Sequence, residues 1–118
     1  MMAMESSARA VDEAALLEDL KHVPGVFGSM LISQDGMVLR ECLPPVFAER
    51  ATDAAPRLVV LLDALSGGRQ LQAYCLRFFE HRLHVLPVAC GFLCVLSELE
   101  GAAAILKMAM NVTARRLS

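Results

Sequence analysis

Cysteine and histidine are the residue types in this chain best suited to nucleophilic, redox or metal chemistry. Neither a CxxC motif nor a Cys/His spacing typical of zinc is present. The cysteines lie in apolar runs, so we interpret them as reduced core residues. Cys90 and Cys94 would share one face of a strand, which leaves a metal or redox pair as an alternative. The seven residues concerned are Cys42, Cys75, Cys90, Cys94, His22, His81 and His84.

The histidines are not accompanied by a serine or cysteine nucleophile in a recognisable motif. His22 ends a predicted helix, where a cation suits the helix dipole, and His81 falls in a predicted hairpin tip. His84 alternates with apolar neighbours and is expected at a solvated or subunit-facing position. Glu98 and Glu100 fall where the last helix is predicted to begin. We therefore expect no catalytic residue, and the protein is not expected to be an enzyme.

One glycine-rich stretch, Gly67-Gly68-Arg69, could approach a phosphate group. It lacks the GxxxxGK[ST] pattern and a following helix, so a nucleotide site is not expected. The basic residues Lys107, Arg115 and Arg116 are too few for a nucleic-acid or anionic-lipid patch, and the formal net charge is −2. We predict no cofactor, no metal ion and no nucleic-acid partner.

The composition is typical of one globular domain, since apolar residues make up 56% of the 118 residues and charged residues 20%. No window is long and apolar enough for a membrane span. The N-terminal segment carries Glu5, Asp12 and Glu13 where a signal peptide would be apolar. We expect a cytoplasmic protein with a flexible N-terminus over residues 1–11 and one domain over residues 12–118.

Hydrophobic periodicity and turn residues divide the chain into elements in the order α-β-β-α-β-β-β-α. Most strand connections are hairpins, so the five strands cannot all be parallel, and we predict an α/β fold of the α+β type. The predicted elements are a helix over 13–22, strands over 26–33 and 37–43, a helix over 46–65, strands over 71–79, 83–88 and 92–97, and a helix from 98 to about 116.

Local signals support these boundaries. Asp12 is a plausible N-cap, and Asp35-Gly36 supplies the turn of the first hairpin. Pro56 predicts a kink or a restart within the second helix, which Ser66-Gly67-Gly68 closes. Ser97 and Glu100 have the spacing of a capping box for the last helix.

The same patterns predict which side chains share a face. Pro87 cannot donate a hydrogen bond to a sheet, so it should mark a bulge, a strand end or an unpaired edge. The second strand suits a sheet edge because its alternation is the more polar of the two. The side chains predicted to share one face are Val26, Met30 and Ile32 in the first strand and Val38, Arg40 and Cys42 in the second strand. Ile105, Met108 and Val112 are predicted to form the apolar stripe of the last helix.

The second helix carries more apolar surface than one small subunit can cover. Such a helix lies either at the centre of its own subunit or at an interface between two subunits. A helix buried on all sides is difficult to build in a domain of this size. We therefore expect its second face to pack against a copy of the chain. Phe47, Ala51, Ala55, Leu58, Leu62 and Leu65 follow one face, and Val59, Val60 and Leu61 extend the apolar arc.

The stretch LLEDLKHVPGVFGSMLISQDGMVLRECLP, residues 16–44, resembles the Roadblock/LC7 family, which includes dynein light chains and bacterial MglB- and MglC-type regulators. Gly25-Val26, Gly28 and Asp35-Gly36 stand where the family's strand-turn-strand carries them, and the remaining elements extend the resemblance to about Leu117. It implies a three-layer sandwich in which a five-stranded antiparallel sheet has two helices on one face and one on the other.

The resemblance also implies a homodimer, since family members join through the second helix and the third strand into one continuous sheet. Pro56 and Pro87 depart from the family pattern. Carried over to this sequence, the interface residues are Ala55, Leu58, Val59, Leu62 and Leu65 on the helix and Leu71, Ala73, Cys75 and Arg77 on the strand.

By the same resemblance, the chain is expected to be a non-catalytic homodimeric adaptor in a small Ras-like GTPase system, as in bacterial cell polarity or gliding motility. Its partners would be the GTPase, a GTPase regulator or another roadblock protein. One alternative is a GTPase-activating protein, although no arginine can be singled out for that role. A further alternative is a ligand-sensing domain, with Tyr74, Cys75 and Ser29 as candidate polar groups.

Overall fold

A computed structural model describes residues 13–69, 72–78, 80–98 and 103–117 of the chain. The predicted order of elements is confirmed, and the first helix, α1, covers residues 13–21 of this range. The other elements are β1 (Val26–Ser33), β2 (Val38–Cys42), α2 (Pro45–Ser66), β3 (Tyr74–Phe78), β4 (His81–Val88), β5 (Gly91–Glu98) and α3 (Ala103–Leu117). Within the described ranges, no helix is both long and apolar enough to cross a membrane.

The strands form one antiparallel sheet in the order β2-β1-β5-β4-β3. The central pair is β1 and β5, whose register runs from Val26 opposite Ser97 to Ser33 opposite Gly91. These two strands are apolar on both faces because helices cover both faces. The outer strands are β2 and β3, so the edge position predicted for the second strand is confirmed.

Two separate cores lie on the two faces of the sheet, which confirms the predicted three-layer sandwich. On one face α2 packs alone, and on the other face α1 and α3 pack together. The core under α2 consists of Met30, Ile32, Ala51, Ala55, Val59, Leu62, Val85, Phe92 and Cys94. The core under α1 and α3 consists of Leu17, Leu20, Leu31, Val88, Leu93, Val95, Leu106 and Met110.

Two register shifts correct the predicted strand faces. On β1, Val26 lies opposite Ser97 while Gly28 lies opposite Leu96, so one extra residue reverses the alternation. Val26 therefore packs with the α1–α3 core, whereas the rest of its predicted set packs under α2. A second shift on β2 likewise places Val38 and Cys42 on opposite faces.

Helix α2 is continuous through Pro56 and has 22 residues, so the predicted restart does not occur. Its first residue is Pro45, where the missing N–H would have had no helical partner. Gly67 ends the helix in the left-handed conformation with φ 59°, and its N–H donates to the Asp63 carbonyl at 3.2 Å. The predicted glycine closure is confirmed.

Helix α3 differs from the prediction at its start and in its buried face. Ser97 and Glu98 belong to β5, so Ser97 caps no helix and Glu98 does not begin one. The buried side chains of α3 are Leu106, Met110 and Thr113. The predicted stripe of Ile105, Met108 and Val112 faces solvent instead.

The β3–β4 hairpin is tighter than predicted. His81 lies opposite Phe78 in the ladder, so it is a strand residue rather than a hairpin tip. Because Tyr74, the first residue of β3, lies opposite Val85, the described part of β3 does not reach Pro87. Pro87 thus lies on a stretch of β4 that pairs with β5 alone, as expected for a residue without a donor.

Some predicted features lie outside the described residues. They are the flexible segment 1–11, the N-cap Asp12, Leu71 and Phe79 of the third strand, and Glu100 of the capping box.

Candidate self-association surface

One helix cannot cover the whole α2 face of a five-stranded sheet. Strands spaced about 4.8 Å apart make the sheet roughly 19 Å wide, whereas a helix with its side chains spans about 10 Å. Helix α2 lies towards β2, because Pro56 contacts Gly36 in the β1–β2 turn and Val38 packs against the core beneath it. The core beneath α2 nevertheless reaches β4 at Val85, while Tyr74 of β3 and Leu83 of β4 stay half-buried beside it, so α2 covers this part of the face only partly.

A groove of about 410 Å³ follows the uncovered flank of α2. Among its described lining residues Arg50 alone is charged, and apolar side chains of the sheet form its floor. A groove of this kind is typical of a surface that receives apolar side chains of a partner. Its lining consists of Met30, Leu43, Val46, Phe47, Arg50, Ala51, Ala54, Leu83, Cys94 and Leu96.

The same flank of α2 continues towards its C-terminus with Leu58, Leu61 and Leu65. Their spacing of three and four residues places them on one side of the helix. Leu61 is 44% exposed and Leu65 is 49% exposed, while Leu58 is half-buried. On the same side, Tyr74 and Leu83 of the sheet pack with Leu58 against the core beneath α2, and half-buried Leu76 lies opposite Leu83. We call this the α2–β3 surface, and it consists of Leu58, Leu61, Leu65, Tyr74, Leu76 and Leu83.

The structure separates the five helix residues that were predicted to contact a second copy. Leu58 and Leu65 belong to the α2–β3 surface. Ala55, Val59 and Leu62 are buried in the core beneath α2. Their contact with a second copy stays a prediction. Leu61 belongs to the second side of the apolar arc, which was expected to pack against a copy of the chain, and its exposure leaves it available for that contact.

The strand residues predicted for the interface lie along the free edge of the sheet. In the described chain β3 pairs with β4 alone, so its outer N–H and C=O groups can pair with another strand. Ala73, Cys75 and Arg77 are all exposed, and Leu71 lies outside the described residues. Their contact with a second copy stays a prediction.

Two arginines lie directly opposite each other on this hairpin. Arg77 of β3 is paired with Arg82 of β4, and Arg82 is in turn opposite Ser97. Like charges facing each other across a sheet repel. Among the described residues the structure records one ion pair, Arg40 with Glu13 at 3.7 Å, so neither Arg77 nor Arg82 is neutralised there. The pair favours contact with an acidic group.

Comparison with solved structures identifies this architecture. A Roadblock/LC7 domain from Streptomyces avermitilis is 23% identical to the chain, with a TM-score of 0.73 and a match that covers 86% of this chain and 91% of that chain. The chain has the Roadblock/LC7 fold. The resemblance predicted from residues 16–44 is thereby confirmed at the level of the fold.

Two further structures share the roadblock fold. MglB from Myxococcus xanthus is 11% identical, with a TM-score of 0.76 and coverage of 91% of this chain and 85% of that chain. The gliding protein MglB from Thermus thermophilus is 18% identical, with a TM-score of 0.75 and coverage of 93% and 88%. No family model and no curated protein matches the chain.

Within the roadblock fold, His84 is a strand residue that packs towards α3. Its Nε2 lies 2.9 Å from the Ser97 hydroxyl oxygen across the β4–β5 pair. Burial lowers the pKa of His84, and the nearby Arg82 guanidinium lowers it further. The imidazole is therefore neutral at pH 7 and anchors β4 to β5, which suits structure rather than proton transfer.

His81 lies on the opposite face of the sheet between two aromatic rings. Its ring is edge-on to Phe27 at 5.0 Å and to Phe47 at 5.6 Å between centroids. Its Nδ1 is buried without a hydrogen-bond partner among the described residues. His81 therefore joins the start of α2 to the start of β4.

The four cysteines occupy different environments, which corrects the expectation that all are core residues. Cys94 is buried and its pKa is raised to about 12 by desolvation. Cys42 is half-buried, and its pKa is raised by burial and by a hydrogen bond from its thiol to Glu18 at 3.1 Å. Cys75 and Cys90 are exposed.

Cys90 and Cys94, for which a metal or redox pair was the alternative to reduced cysteines, are both free thiols in different environments. Cys90 lies in the turn between β4 and β5, where burial and then the Glu13 carboxylate raise its pKa. Cys94 points into the core beneath α2. In the part of the chain that the structure describes, no three His, Cys, Asp or Glu side chains gather where they could hold a metal ion.

The other candidate ligand groups are also structural. The amides of the glycine-rich stretch close α2, since Gly67 N–H bonds Asp63 and Arg69 N–H bonds the Ser66 carbonyl. Ser29 is buried and donates to the Leu17 carbonyl at 3.2 Å. Ser29 is therefore not available for the ligand pocket that was suggested together with Tyr74 and Cys75.

Proposed function

We propose that the protein is a homodimeric roadblock adaptor in a small Ras-like GTPase system. The observation that carries the proposal is the α2–β3 surface, an apolar strip that lies beside an unpaired sheet edge. A second copy related by a two-fold axis would add its β3 to this edge and place its α2 over this strip. Each subunit would then cover apolar side chains that the other subunit's own α2 leaves partly exposed.

The proposed role is adaptor binding rather than chemistry. The histidines, cysteines and glycines that could have carried a reaction are engaged in packing, capping or strand pairing, or stand alone on the surface. Adaptors of this kind would hold a GTPase regulator, another roadblock protein or the GTPase itself on the outer side of the dimer. The proposed location is the cytoplasm.

A role in bacterial cell polarity or gliding motility is the finer part of the proposal. It is supported by the names of the neighbours in fold, one of which is called a gliding protein. At 18% identity this likeness supports the proposal through shared architecture.

A GTPase-activating protein is the second candidate, and the Arg77–Arg82 pair favours it. Activation of GTP hydrolysis needs a positive group that stabilises charge in the transition state, or contacts that reposition the GTPase's own residues. Arg77 is exposed on the sheet edge, and no acidic partner neutralises it among the described residues.

Single-turnover hydrolysis by a GTP-loaded Ras-like GTPase, titrated with this protein, separates the two candidates. The adaptor proposal expects complex formation in a co-sedimentation assay together with an unchanged hydrolysis rate. A rate that rises with added protein and falls back in Arg77→Ala would contradict it and establish the second candidate. Arg57→Ala, which changes an exposed arginine on α2, serves as the control.

A further inference from the structure

Helix α3 presents an apolar stripe to solvent on the side of the molecule opposite α2. Ile105 is 54% exposed, Met108 is 70% exposed and Val112 is 52% exposed. Their spacing of three and four residues places them in one row. Three large apolar side chains in a row on one helix are typical of a contact surface rather than of scattered surface residues.

A groove of about 350 Å³ runs beside this stripe, between α1 and α3. Leu16, Leu20 and Val23 line it from the α1 side, and Met108 and Val112 line it from the α3 side. Its two walls carry opposite charge at the rim, since Asp19 stands on α1 and Arg116 on α3.

Other charged residues of the two helices are engaged elsewhere. Glu13 forms an ion pair with Arg40, and Glu18 accepts a hydrogen bond from the Cys42 thiol. Lys107 lines a separate pocket on the other side of α3. Asp19 and Arg116 are the charged residues among the described lining of the groove, and we call the apolar row, the groove and these two residues the α1–α3 surface.

We propose that the α1–α3 surface binds a second copy of itself through a two-fold axis. In a two-fold contact, residue i of one copy meets residue j of the other and j meets i. An axis that runs along the groove therefore places the α1 wall of each copy, with Asp19, against the α3 wall of the other copy, with Arg116. Met108 and Val112 of each copy then pack against the α1 wall of the other, so apolar contact and charge complementarity coincide.

The charge pattern argues for a second copy over two other occupants. An anionic lipid surface would attract Arg116 on one wall of the groove but would be repelled by Asp19 on the other wall. A uniformly acidic partner helix would meet the same repulsion. A partner with one acidic and one basic wall fits both sides, and this chain carries that surface itself.

This contact is independent of the proposed α2–β3 dimer because it uses the other face of the sheet. With both contacts in place, the chain forms a dimer of dimers or a longer assembly. With the α1–α3 contact alone, it forms a dimer that leaves the β3 edge free.

Sedimentation velocity over a range of protein concentrations tests the contact with Met108→Glu. Burying a carboxylate in the contact should weaken that association step about a hundredfold and halve the limiting mass. Met37→Glu is the matched control, since Met37 is 66% exposed in the β1–β2 turn, and it should leave the mass unchanged. Equal masses for wild type and Met108→Glu would overturn the proposal.

Charge exchange supplies a second test that does not depend on the apolar row. Asp19→Arg and Arg116→Asp should each weaken the association by about threefold to tenfold, and the double variant should restore it. Failure of the double variant to recover would contradict the two-fold arrangement. Flotation with anionic phosphatidylserine vesicles completes the test. If the chain binds these vesicles, loses that binding in Met108→Glu and does not self-associate, the proposal is overturned. Leu65→Glu changes a residue of the α2–β3 surface. It should weaken the α2–β3 contact and leave the α1–α3 contact intact, so the two variants together show which contact has failed.

Discussion

Gly36 lies so close to Pro56 that a Cβ at residue 36 would be 2.6 Å from the proline Cα. This contact docks the β1–β2 turn onto the middle of α2. The proline lacks an N–H and so leaves the Thr52 carbonyl without its helical partner. Pro56 therefore lowers the stability of the helix at the point where the β1–β2 hairpin packs against it. Its contact with Gly36 holds α2 towards the β2 side of the sheet.

Gly36→Ala is expected to lower the free energy of unfolding by about 2–3 kcal/mol, because φ is +89° at Gly36 and the backbone of α2 blocks a side chain. Gly68→Ala is the matched control, since φ is +82° there and no atom lies within 4 Å of the added Cβ. It should cost about 1 kcal/mol, the cost of left-handed backbone alone. Urea unfolding followed by circular dichroism measures both. Equal losses would show that the contact with Pro56 contributes nothing.

Stability is expected to fall on acidification because of His84. Its pKa in the folded chain is below the ordinary value of about 6.5, so the unfolded chain binds the proton more readily. The contribution of His84 is therefore complete above that ordinary value and is lost as pH falls through the lower folded pKa. Unfolding free energies measured by urea titration between pH 5 and pH 8 should show this loss.

His84→Gln tests the assignment, because an amide can donate to Ser97 without titrating. The variant should show a smaller loss of stability at acid pH than the wild type. His22→Gln removes an exposed imidazole and serves as the control. An unchanged slope in His84→Gln would assign the pH dependence to other groups.

The four thiols are expected to react in an order set by exposure and pKa. In native protein at pH 8, Cys90 should be alkylated before Cys42, and Cys75 should react as fast as Cys90 only where no second copy covers the β3 edge. Cys94, whose pKa is about 12, should react at least about a thousandfold more slowly than an ordinary thiol, because its thiolate is scarce and buried. Mass spectrometry of iodoacetamide-treated protein measures the order. Labelling of native Cys94 as fast as Cys90 would mean that the core beneath α2 opens.

Much of the fold could be predicted because turn residues and periodicity act locally. The turn at Gly36 and the cap at Gly67 require a left-handed backbone, which glycine adopts at little cost, so both appear in the sequence as breaks. The strands β1 and β5 were recognisable because they are apolar on both faces.

Side-chain faces were predicted less well where the sequence offers two equivalent patterns. Helix α3 carries two interleaved apolar rows, one through Leu106 and Met110 and one through Ile105 and Met108, and both fit a helical period. Which row meets the sheet depends on tertiary packing. On β1 the extra residue beside Val26 shifts the alternation, and an apolar strand gives no sign of that shift.

The sequence alone did not decide which apolar side chains of α2 are buried and which stay exposed. Small side chains such as Ala51 and Ala55 let α2 approach its own sheet closely, so the residues beside them enter the core. Leu61 and Leu65 are left on the flank. The sequence shows how wide the apolar arc of a helix is. Which part of that arc is buried depends on where the helix packs on the sheet.

The central claim is that the α2–β3 surface joins two copies of the chain. Its most direct test is the sedimentation-equilibrium mass at micromolar concentration in a Met108→Glu background, which removes the α1–α3 contact. We predict twice the chain mass of 12.8 kDa, a fall to one chain mass in Leu61→Glu/Leu65→Glu, and no change in the outward-facing control Val60→Glu. A mass of one chain at every concentration before the leucines are changed would contradict the claim.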